Sequence, residues 1–343
     1  AIRSRGLGDV YKRQCSNTSE FSHKIGIRST QWTRHAGYAQ LPIIYHAARE
    51  NKMSDVRNDH DEVGDSVIYE FGAGIAWISM NRPKYGNAQN SRMTYQLDAA
   101  FMKAVADDDV KVIVLRGEGK HFSAGHDIGT PGQDLQCSQD RVTSWYDHAN
   151  KSGGEFLYVR EAEAYLGMCR RWRDIPKPTI AAVQGACIAG GLMLAWICDL
   201  IVATDDAYFA DPVVRMGIPG VEYFAHPYEL NPRIAKEFLF TGSKMGAERA
   251  YQMGMVNQIS SRDSLIDDVT ALATKIAAVP RLGLALTKQA INNVEDLQGK
   301  RQGMEAAFAW HHFAHAHNDL VSGDKLGGFD AKAMAAANKF EEN

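Results

Sequence analysis

Two glycine-rich turns each follow a run typical of a buried strand, and both turns could present backbone N–H groups to a ligand. Residues 121–127 (HFSAGHD) follow the apolar run 110–115, and residues 185–191 (GACIAGG) follow the run 179–183. The second turn leads into the apolar run 192–197, so free N–H groups would lie at the start of a helix. Such a turn can hold a phosphate or a developing oxyanion, while a tight turn without any ligand is the alternative.

The elements that must position these turns alternate between strand and helix patterns along the chain. This alternation indicates an α/β fold, built on a largely parallel sheet with helices packed against it. A hairpin is predicted around Gly72 and Gly74, and Ser91 is placed to cap the first helix. The predicted strands are residues 67–71, 75–80, 110–115, 179–183 and 198–203, and the predicted helices are 91–106, 161–173, 192–197, 232–241, 247–253, 263–278, 281–295 and 302–317.

Composition limits the partners that the chain is expected to bind. The 343 residues are 45% hydrophobic and 23% charged, with a net charge of −3. This balance is ordinary for a globular protein and argues against nucleic acid or an anionic membrane as the main partner. The most apolar stretch, residues 188–203, is interrupted by Asp199 and is too short to span a bilayer, which needs about 20 residues.

Five cysteines form no CxxC pair and no spacing typical of a metal site. We interpret them as buried thiols in a reducing compartment. They are Cys15, Cys137, Cys169, Cys187 and Cys198.

The first 52 residues differ from the rest, being basic with few acidic residues and without helical or strand periodicity. A transit peptide, a disordered arm and a non-native segment are the three interpretations. Residues 1–14 resemble translated sequencing-adapter read-through, and Met53 is a plausible true start, so we favour a non-native leader. The predicted division is residues 1–52 as leader, 53–259 as core and 260–343 as a C-terminal helical region. We expect a chain that begins at Met53 to be as stable as the whole chain.

Four motifs, in order, resemble those of the crotonase family, also called the enoyl-CoA hydratase/isomerase family. They are NRPKYGNA at 81–88, GEGKHFSAGHD at 117–127, KPTIAAVQGACIAGG at 177–191 and CDLIVA at 198–203. The resemblance covers residue 67 to about residue 259. It implies a ββα spiral core with a C-terminal helical region that trimerises, giving a homotrimer or a dimer of trimers. It also implies an acyl-CoA thioester substrate, with no separate cofactor, and a cytoplasmic location, or the mitochondrial matrix if the leader is a real transit peptide.

The resemblance also implies which residues form the site. In this family two backbone N–H groups bind the thioester oxygen as an enolate forms, and by position these belong to His126 and Gly190. The Gly190 donor would lie at a helix start, where the helix dipole favours negative charge. The remaining positions expected to bind the substrate are Lys84, Tyr85, Ala88, Ala124, Asp127, Ile128 and Gly191.

The chain departs from the family at the two glutamates that handle water and a proton in hydratases. Met193 and Val213 stand at those positions, and neither side chain can transfer a proton. Glu222 is the candidate replacement, and apolar neighbours are expected to raise its pKa, as a general acid near neutral pH requires. A surface glutamate is the alternative. Weaker candidates are the side chains of His126, Asp211 and His226, together with Tyr146 and His148 in a polar insertion predicted at residues 130–160.

Four histidines near the C-terminus, His311, His312, His315 and His317, suggest a metal site at first sight. They lie on a predicted amphipathic helix without a partnering carboxylate pattern, so no metal is expected.

The function favoured by the resemblance is a hydratase- or isomerase-like reaction through an enolate, with a non-standard acid or base. A hydrolase or C–C-cleaving relative, and a CoA-thioester-binding protein without turnover, are the alternatives.

Overall fold

The computed structural model describes residues 65–129 and 134–327, which lie within one unit, Arg57–Asn343. The predicted leader, residues 1–52, and Cys15 lie outside the described residues. The division proposed at residue 259 stays a prediction.

The described chain begins with the predicted hairpin. Strands β1 (Val67–Gly72) and β2 (Ile75–Met80) pair antiparallel, with Val67 opposite Met80. Ala73 and Gly74 connect them with φ values of 52° and 79°. Two successive positive φ angles are the signature of the tight hairpin turn that matches the twist of the strands. The sequence prediction is confirmed here.

A sheet with the order β1-β2-β3-β4-β6-β9 forms the centre of the described residues, and every pair after β1–β2 is parallel. A smaller sheet has the order β5-β7-β8. The strands after β2 are β3 (Val112–Gly117), β4 (Thr179–Val183), β5 (Ala186–Ile188), β6 (Leu200–Thr204), β7 (Tyr208–Ala210), β8 (Met245–Gly246) and β9 (Gln258–Ser260).

The central strands are buried on both faces, which explains why they appear in the sequence as continuous apolar runs. In β3, Ile113 and Leu115 contribute to one apolar core, while Val112 and Val114 contribute to a second core on the other face. This division follows from the two-residue repeat of a strand. The parallel sheet with helices on both faces is the arrangement that the alternating pattern predicted.

Ten α-helices are described. The predicted helices are present with shifts of a few residues at their ends, except that the predicted helix 161–173 is divided into a π-helical turn and the short helix α3. Asn90, rather than the predicted Ser91, caps the first helix, because its side chain accepts a hydrogen bond from the N–H of Met93 at 3.0 Å. The helices are α1 (Ser91–Ala106), α2 (Gly153–Glu161), α3 (Met168–Arg173), α4 (Gly190–Trp196), α5 (His226–Glu229), α6 (Pro232–Thr241), α7 (Ala247–Gln252), α8 (Leu265–Ala277), α9 (Arg281–Leu297) and α10 (Lys300–Ser322).

The segment predicted as a polar insertion up to residue 160 ends earlier than expected. Helix α2 begins at Gly153, and its residues Arg160 and Glu161 are buried. A π-helical turn, Ala162–Gly167, then joins α2 to α3. Turns of this kind occur often at functional sites, because they redirect side chains within a helix.

One further expectation is corrected by burial. Cys137 is exposed, whereas Cys169, Cys187 and Cys198 are buried as predicted. Phe308 on α10 belongs to the main apolar core. Trp310 and Phe313 on the same helix are exposed.

Among the described residues, no single helix is long and apolar enough to cross a bilayer. Helices α8 and α9 together satisfy the same length and composition criteria, but they are bent by 104° relative to each other.

Candidate active site

The two glycine-rich turns identified in the sequence lie side by side. Gln89 forms a parallel bridge with His126, and Ser123 forms one with Cys187. The N–H of Ser123 donates to the carbonyl of Ala186 at 3.1 Å, so the first turn is hydrogen-bonded directly to the second. The fold therefore brings residues about 60 positions apart to one place.

Gly125 allows the closest approach between these turns. Its φ is +94°, and a Cβ atom there would lie 2.8 Å from the carbonyl oxygen of Ile188 and 3.2 Å from the nitrogen of Gly190. Only glycine fits such a position without moving backbone atoms. As a result, His126, the next residue, lies beside Gly190 at the start of α4.

The NRPK motif fixes the first turn in place. Arg82 and Asp127 form a buried ion pair, with Nη1 3.0 Å from Oδ2. Asn87 accepts from the N–H of Arg82 and donates to the carbonyl of His121 at 2.8 Å. The ion pair of Asp127 with Arg82 thus helps to hold the loop.

A cavity of about 540 Å³ opens beside the two turns. Most of the residues expected at the site line it: Tyr85, Ala88, Ala124, His126, Asp127, Ile128 and Glu222. Three others are not among its lining residues. Lys84 is exposed, Gly190 packs so closely on His126 that a Cβ would lie 2.6 Å from its ring, and Gly191 packs so tightly on Ser123 that a Cβ would lie 2.6 Å from its carbonyl oxygen. Of the two positions at which the resemblance led us to expect glutamates, Val213 lines the cavity and Met193 is buried in the core.

His126 and Glu222 form a hydrogen-bonded pair on the cavity wall. His126 Nε2 lies 2.9 Å from Glu222 Oε2, and Glu222 is only 3% exposed. The imidazole stacks on the ring of Tyr165, with 3.8 Å between centroids. Its other nitrogen, Nδ1, is buried and has no hydrogen-bond partner among the described residues. The alternative of a surface glutamate at position 222 is therefore wrong.

The pKa expected for Glu222 is also wrong in direction. Burial alone would raise this pKa, as the sequence suggested, but the neighbouring His126 and His311 lower it below the usual range. The sequence could not show these two partners, since one is 96 and the other 89 positions away along the chain. Glu222 therefore stands as a carboxylate rather than as a protonated general acid.

The segment before Glu222 is held by a buried pair that the sequence left open. Asp211 lies 2.8 Å from His226 Nε2, and it also accepts from the N–H of Val221 at 3.2 Å. Neither Asp211 nor His226 lines the cavity, so their contacts position the loop that carries Glu222. Asp211 also accepts a hydrogen bond from the N–H of Val213, so it caps the helical turn that begins at Pro212.

The two candidates from the polar insertion are placed elsewhere. Tyr146 is half exposed and donates to Glu155 at 3.0 Å. His148 is buried, with Nε2 3.0 Å from the carbonyl of Leu135. Neither residue is among those that line the cavity.

Helices supply a second wall of the cavity that sequence analysis missed. Its polar residues are Arg160 and Glu161 at the end of α2, Tyr165 in the π-helical turn, and His311 and His315 on α10. Burial alone would lower the pKa of His311, but the neighbouring carboxylates of Glu161 and Glu222 raise it to about 9. The one feature of the sequence that could have indicated this wall was the i, i+4 spacing of His311 and His315, which places both on the same face of a helix.

The comparison with known families agrees with this architecture. The family model described as Enoyl-CoA hydratase/isomerase matches residues 70–153 and 154–325. The chain belongs to this family, and it is accordingly an acyl-CoA-binding protein of the hydratase/isomerase type of enzyme. The crotonase-like α/β fold with C-terminal helices, predicted from the motifs, is confirmed.

Individual relatives are similar over most of their length. A candidate enoyl-CoA hydratase of Mycobacterium tuberculosis, EchA13, is 43% identical over 256 residues, which cover 74% of this chain and 80% of the relative. The 4-chlorobenzoyl coenzyme A dehalogenase-2 of an Arthrobacter species is 33% identical over 231 residues, covering 66% and 77%. The crystal structure of a probable enoyl-CoA hydratase from Mycobacterium smegmatis has a TM-score of 0.69 at 45% identity, covering 76% of this chain and 98% of the other.

Proposed function

We propose that the protein converts an acyl-CoA thioester through an enolate, with His126 and Glu222 as the pair that moves the proton. The observation that carries this proposal is the 2.9 Å contact between His126 Nε2 and Glu222 Oε2 on the cavity wall. A carboxylate that accepts from one nitrogen of an imidazole orients the ring and leaves the other nitrogen available as a base. The reaction class we favour is hydration or isomerisation, with isomerase-like proton transfer as its core.

The N–H groups of His126 and Gly190 are the proposed donors to the thioester oxygen. Backbone hydrogen bonds of Gln89 support the first donor. The N–H of Gln89 donates to the carbonyl of Gly125, and the carbonyl of Gln89 accepts from the N–H of Asp127. In a parallel bridge this pattern directs the N–H of His126 to the opposite side. Gly190 is the first residue of α4, and an N–H at that position lacks a partner within the helix. Losing one such donor typically costs about 3 kcal/mol in the transition state.

The base is proposed to be Nδ1 of His126. A Cβ built on Gly190 would lie 2.7 Å from this nitrogen, so Nδ1 lies next to the residue whose N–H is the second proposed donor. A thioester oxygen bound at that amide would bring the adjacent acyl carbon near the imidazole. The proton would leave that carbon for Nδ1 as the enolate forms, and it would return to the same carbon or to another one. Met193 and Val213 offer no competing group at the positions that hold glutamates in hydratases.

Solvent exchange tests the enolate step without knowledge of the natural substrate. In D₂O, an enolate that forms reversibly exchanges hydrogen for deuterium at the carbon beside the thioester, and mass spectrometry detects the gain. We expect exchange in a panel of saturated and unsaturated acyl-CoA thioesters, and loss of exchange in the variant His126→Asn. His317→Asn, on the exposed face of α10, is the matched control and should exchange at the original rate.

The products in the same panel distinguish the reaction classes. Addition of water indicates hydration, an unchanged mass with a new retention time indicates isomerisation, and free CoA indicates hydrolysis. A 4-chlorobenzoyl-CoA sample examines the reaction named for the Arthrobacter relative. If the protein binds thioesters of the panel but exchanges hydrogen in none of them, the enolate proposal is contradicted and a non-catalytic thioester-binding protein is favoured.

The working unit is proposed to be a homotrimer or a dimer of trimers. Helices α9 and α10 support this proposal, because they expose large apolar side chains such as Leu297, Trp310, Phe313 and Leu320. Exposed apolar area of this kind is typical of an interface between copies of a chain.

A further inference from the structure

Two buried histidines on α10 face each other through nitrogen atoms that would both carry a lone pair in the neutral rings. His311 Nε2 and His315 Nε2 are 3.0 Å apart. The Nδ1 atom of His311 lies 2.8 Å from the carbonyl of Gly220, and that of His315 lies 2.8 Å from the carbonyl of Lys325. A carbonyl only accepts, so each Nδ1 must carry its proton. In the neutral ring the lone pair then lies on Nε2, and two lone pairs would face each other unless a cation or a proton lies between them.

A buried carboxylate oxygen without a hydrogen-bond partner faces the same point. Glu161 is 5% exposed, and its Oε2 has no hydrogen-bond partner among the described residues. This oxygen lies 3.6 Å from His311 Nε2 and 3.3 Å from His312 Nε2. Glu222 contributes a second carboxylate oxygen, Oε1, at 3.7 Å from His311 Nε2. Two carboxylates thus converge on His311 Nε2, and a buried cluster of this kind needs a proton or a metal cation to compensate its negative charge.

Two separations between ligand atoms are close to those around a first-row metal ion. The ligand atoms of Glu161, His311 and His315 all lie within 4.8 Å of one another. Bonds of about 2.0–2.1 Å to a tetrahedral Zn²⁺ place ligand atoms about 3.3 Å apart. The separations of 3.0 and 3.6 Å around His311 lie on either side of that value. The Nδ1 contacts to carbonyls are also the outer contacts that metal-bound histidines usually make, because they fix the tautomer and the ring orientation.

Helices hold the ligands in place. His311 and His315 are separated by one turn of α10, and Glu161 is the last residue of α2. All three residues also line the cavity, so a bound ion would keep an open coordination position toward it. This open position is the arrangement of a catalytic rather than a purely structural metal site.

We propose that Glu161, His311 and His315 form a binding site for a divalent first-row transition-metal ion, with Zn²⁺ as the reference ion, on the helical wall of the cavity. Two imidazoles and one carboxylate are a ligand set that suits Zn²⁺, and also Fe²⁺ in its three-residue facial form. The sequence prediction of no metal rested on the lack of a carboxylate partner, and Glu161 supplies that partner from 150 residues away. The site stands or falls independently of the reaction proposed above, since metal binding is measured without substrate.

Metal titration of the tag-free whole chain, stripped with a chelator and dialysed, tests the site. We expect one Zn²⁺ per chain with micromolar affinity or better by calorimetry, and a visible absorption band from bound Co²⁺. Glu161→Gln and His315→Gln should each weaken Zn²⁺ binding at least about tenfold, the usual scale for losing support of a metal site. His317→Gln, exposed on the same helix, is the control and should bind as the original chain does.

Three results would overturn the proposal. They are the absence of stoichiometric Zn²⁺ binding by the original chain, a Co²⁺ complex without a visible band, and unchanged affinity in both ligand variants. In any of these cases a proton shared by His311 and His315 accounts for their contact. Circular dichroism of the metal-free variants shows whether they fold, and if one does not, the other variant and the Co²⁺ spectrum of the original chain decide. Deuterium exchange in the acyl-CoA panel is a separate measurement, so failure of the metal site is distinguishable from failure of the enolate proposal.

Discussion

Replacing Glu222 by glutamine removes one negative charge from the cavity wall and leaves the shape of the side chain nearly unchanged. The oxygen of the glutamine can still accept from His126 Nε2, so the ring should keep its place on Tyr165. The variant therefore separates the charge of Glu222 from its packing. We expect acyl-CoA binding to persist and enolate formation to slow.

The size of the effect follows from the geometry of the pair. When His126 takes a proton, it becomes a cation with its nitrogen 2.9 Å from Glu222 Oε2. Opposite unit charges centred about 4 Å apart gain about 4 kcal/mol at an effective dielectric constant of about 20. A neutral hydrogen bond to the glutamine would retain about 1 kcal/mol of this stabilisation. The difference of about 3 kcal/mol corresponds to a rate about 150-fold lower, which lies within the range of about 10² to 10⁴ typical of a proton-transfer group.

The assay is the rate of deuterium exchange at the carbon beside the thioester, together with thioester affinity from calorimetry. Glu305→Gln, whose side chain is 64% exposed, is the matched control and should leave both quantities unchanged. If His126 and Glu222 act as a unit, the double variant His126→Asn/Glu222→Gln should be no slower than the slower single variant. Exchange at the original rate in folded Glu222→Gln would refute the reasoning, and the base would then have to be sought elsewhere.

Three other outcomes follow from the structure. Gly190→Ala should lower the melting temperature and slow exchange at least about tenfold, because the added Cβ would lie 2.6 Å from the ring of His126; Gly303→Ala, with open space around it, should be neutral or slightly stabilising. Phe313→Asp should reduce the molar mass measured by light scattering from that of a trimer or hexamer, and a monomeric original chain would contradict the assembly proposal. Burial opposes ionisation of Glu295, but hydrogen bonds from Arg173 and Lys300 hold its pKa below the usual value; its stabilising effect should therefore be present above pH of about 4.3 and be lost on acidification, so the melting temperatures of the original chain and Glu295→Gln should differ at pH 7 and converge near pH 3.

The sequence predicted the part of the site that lies close to its motifs. The runs 110–115 and 179–183 are buried on both faces, so their apolar composition alone indicated strands, and the glycine turns after them were visible as local patterns. The bridge between Ser123 and Cys187 then brings those turns together, as the resemblance implied. Local pattern and global fold agree in this half of the site, which is why its residues could be named in advance.

The helical wall could not be predicted in the same way, because its chemistry depends on contacts between distant segments. Glu161 and Tyr165 follow a segment that is polar in sequence, and the periodicity of residues 161–173 marks Tyr165 only as a core residue. His311 acquires two carboxylate neighbours that lie 150 and 89 positions away. The pKa of Glu222 was misjudged for the same reason: its apolar neighbours are adjacent in sequence, whereas His126 and His311 are adjacent only in the fold.

The two roles proposed for His126 come from one backbone position and can be separated chemically. Its backbone N–H points away from the Gln89 bridge whatever its side chain is, because the bridge uses the carbonyl of Gly125 and the N–H of Asp127. Its imidazole, in contrast, is oriented by Glu222 and by stacking on Tyr165. Under these proposals, a chain with Met193 and Val213 at the two positions where the resemblance implies glutamates keeps its oxyanion donors and supplies a base from the same turn. Proton transfer is then tied to the glycine turn itself rather than to α4 or to the loop that begins at Pro212.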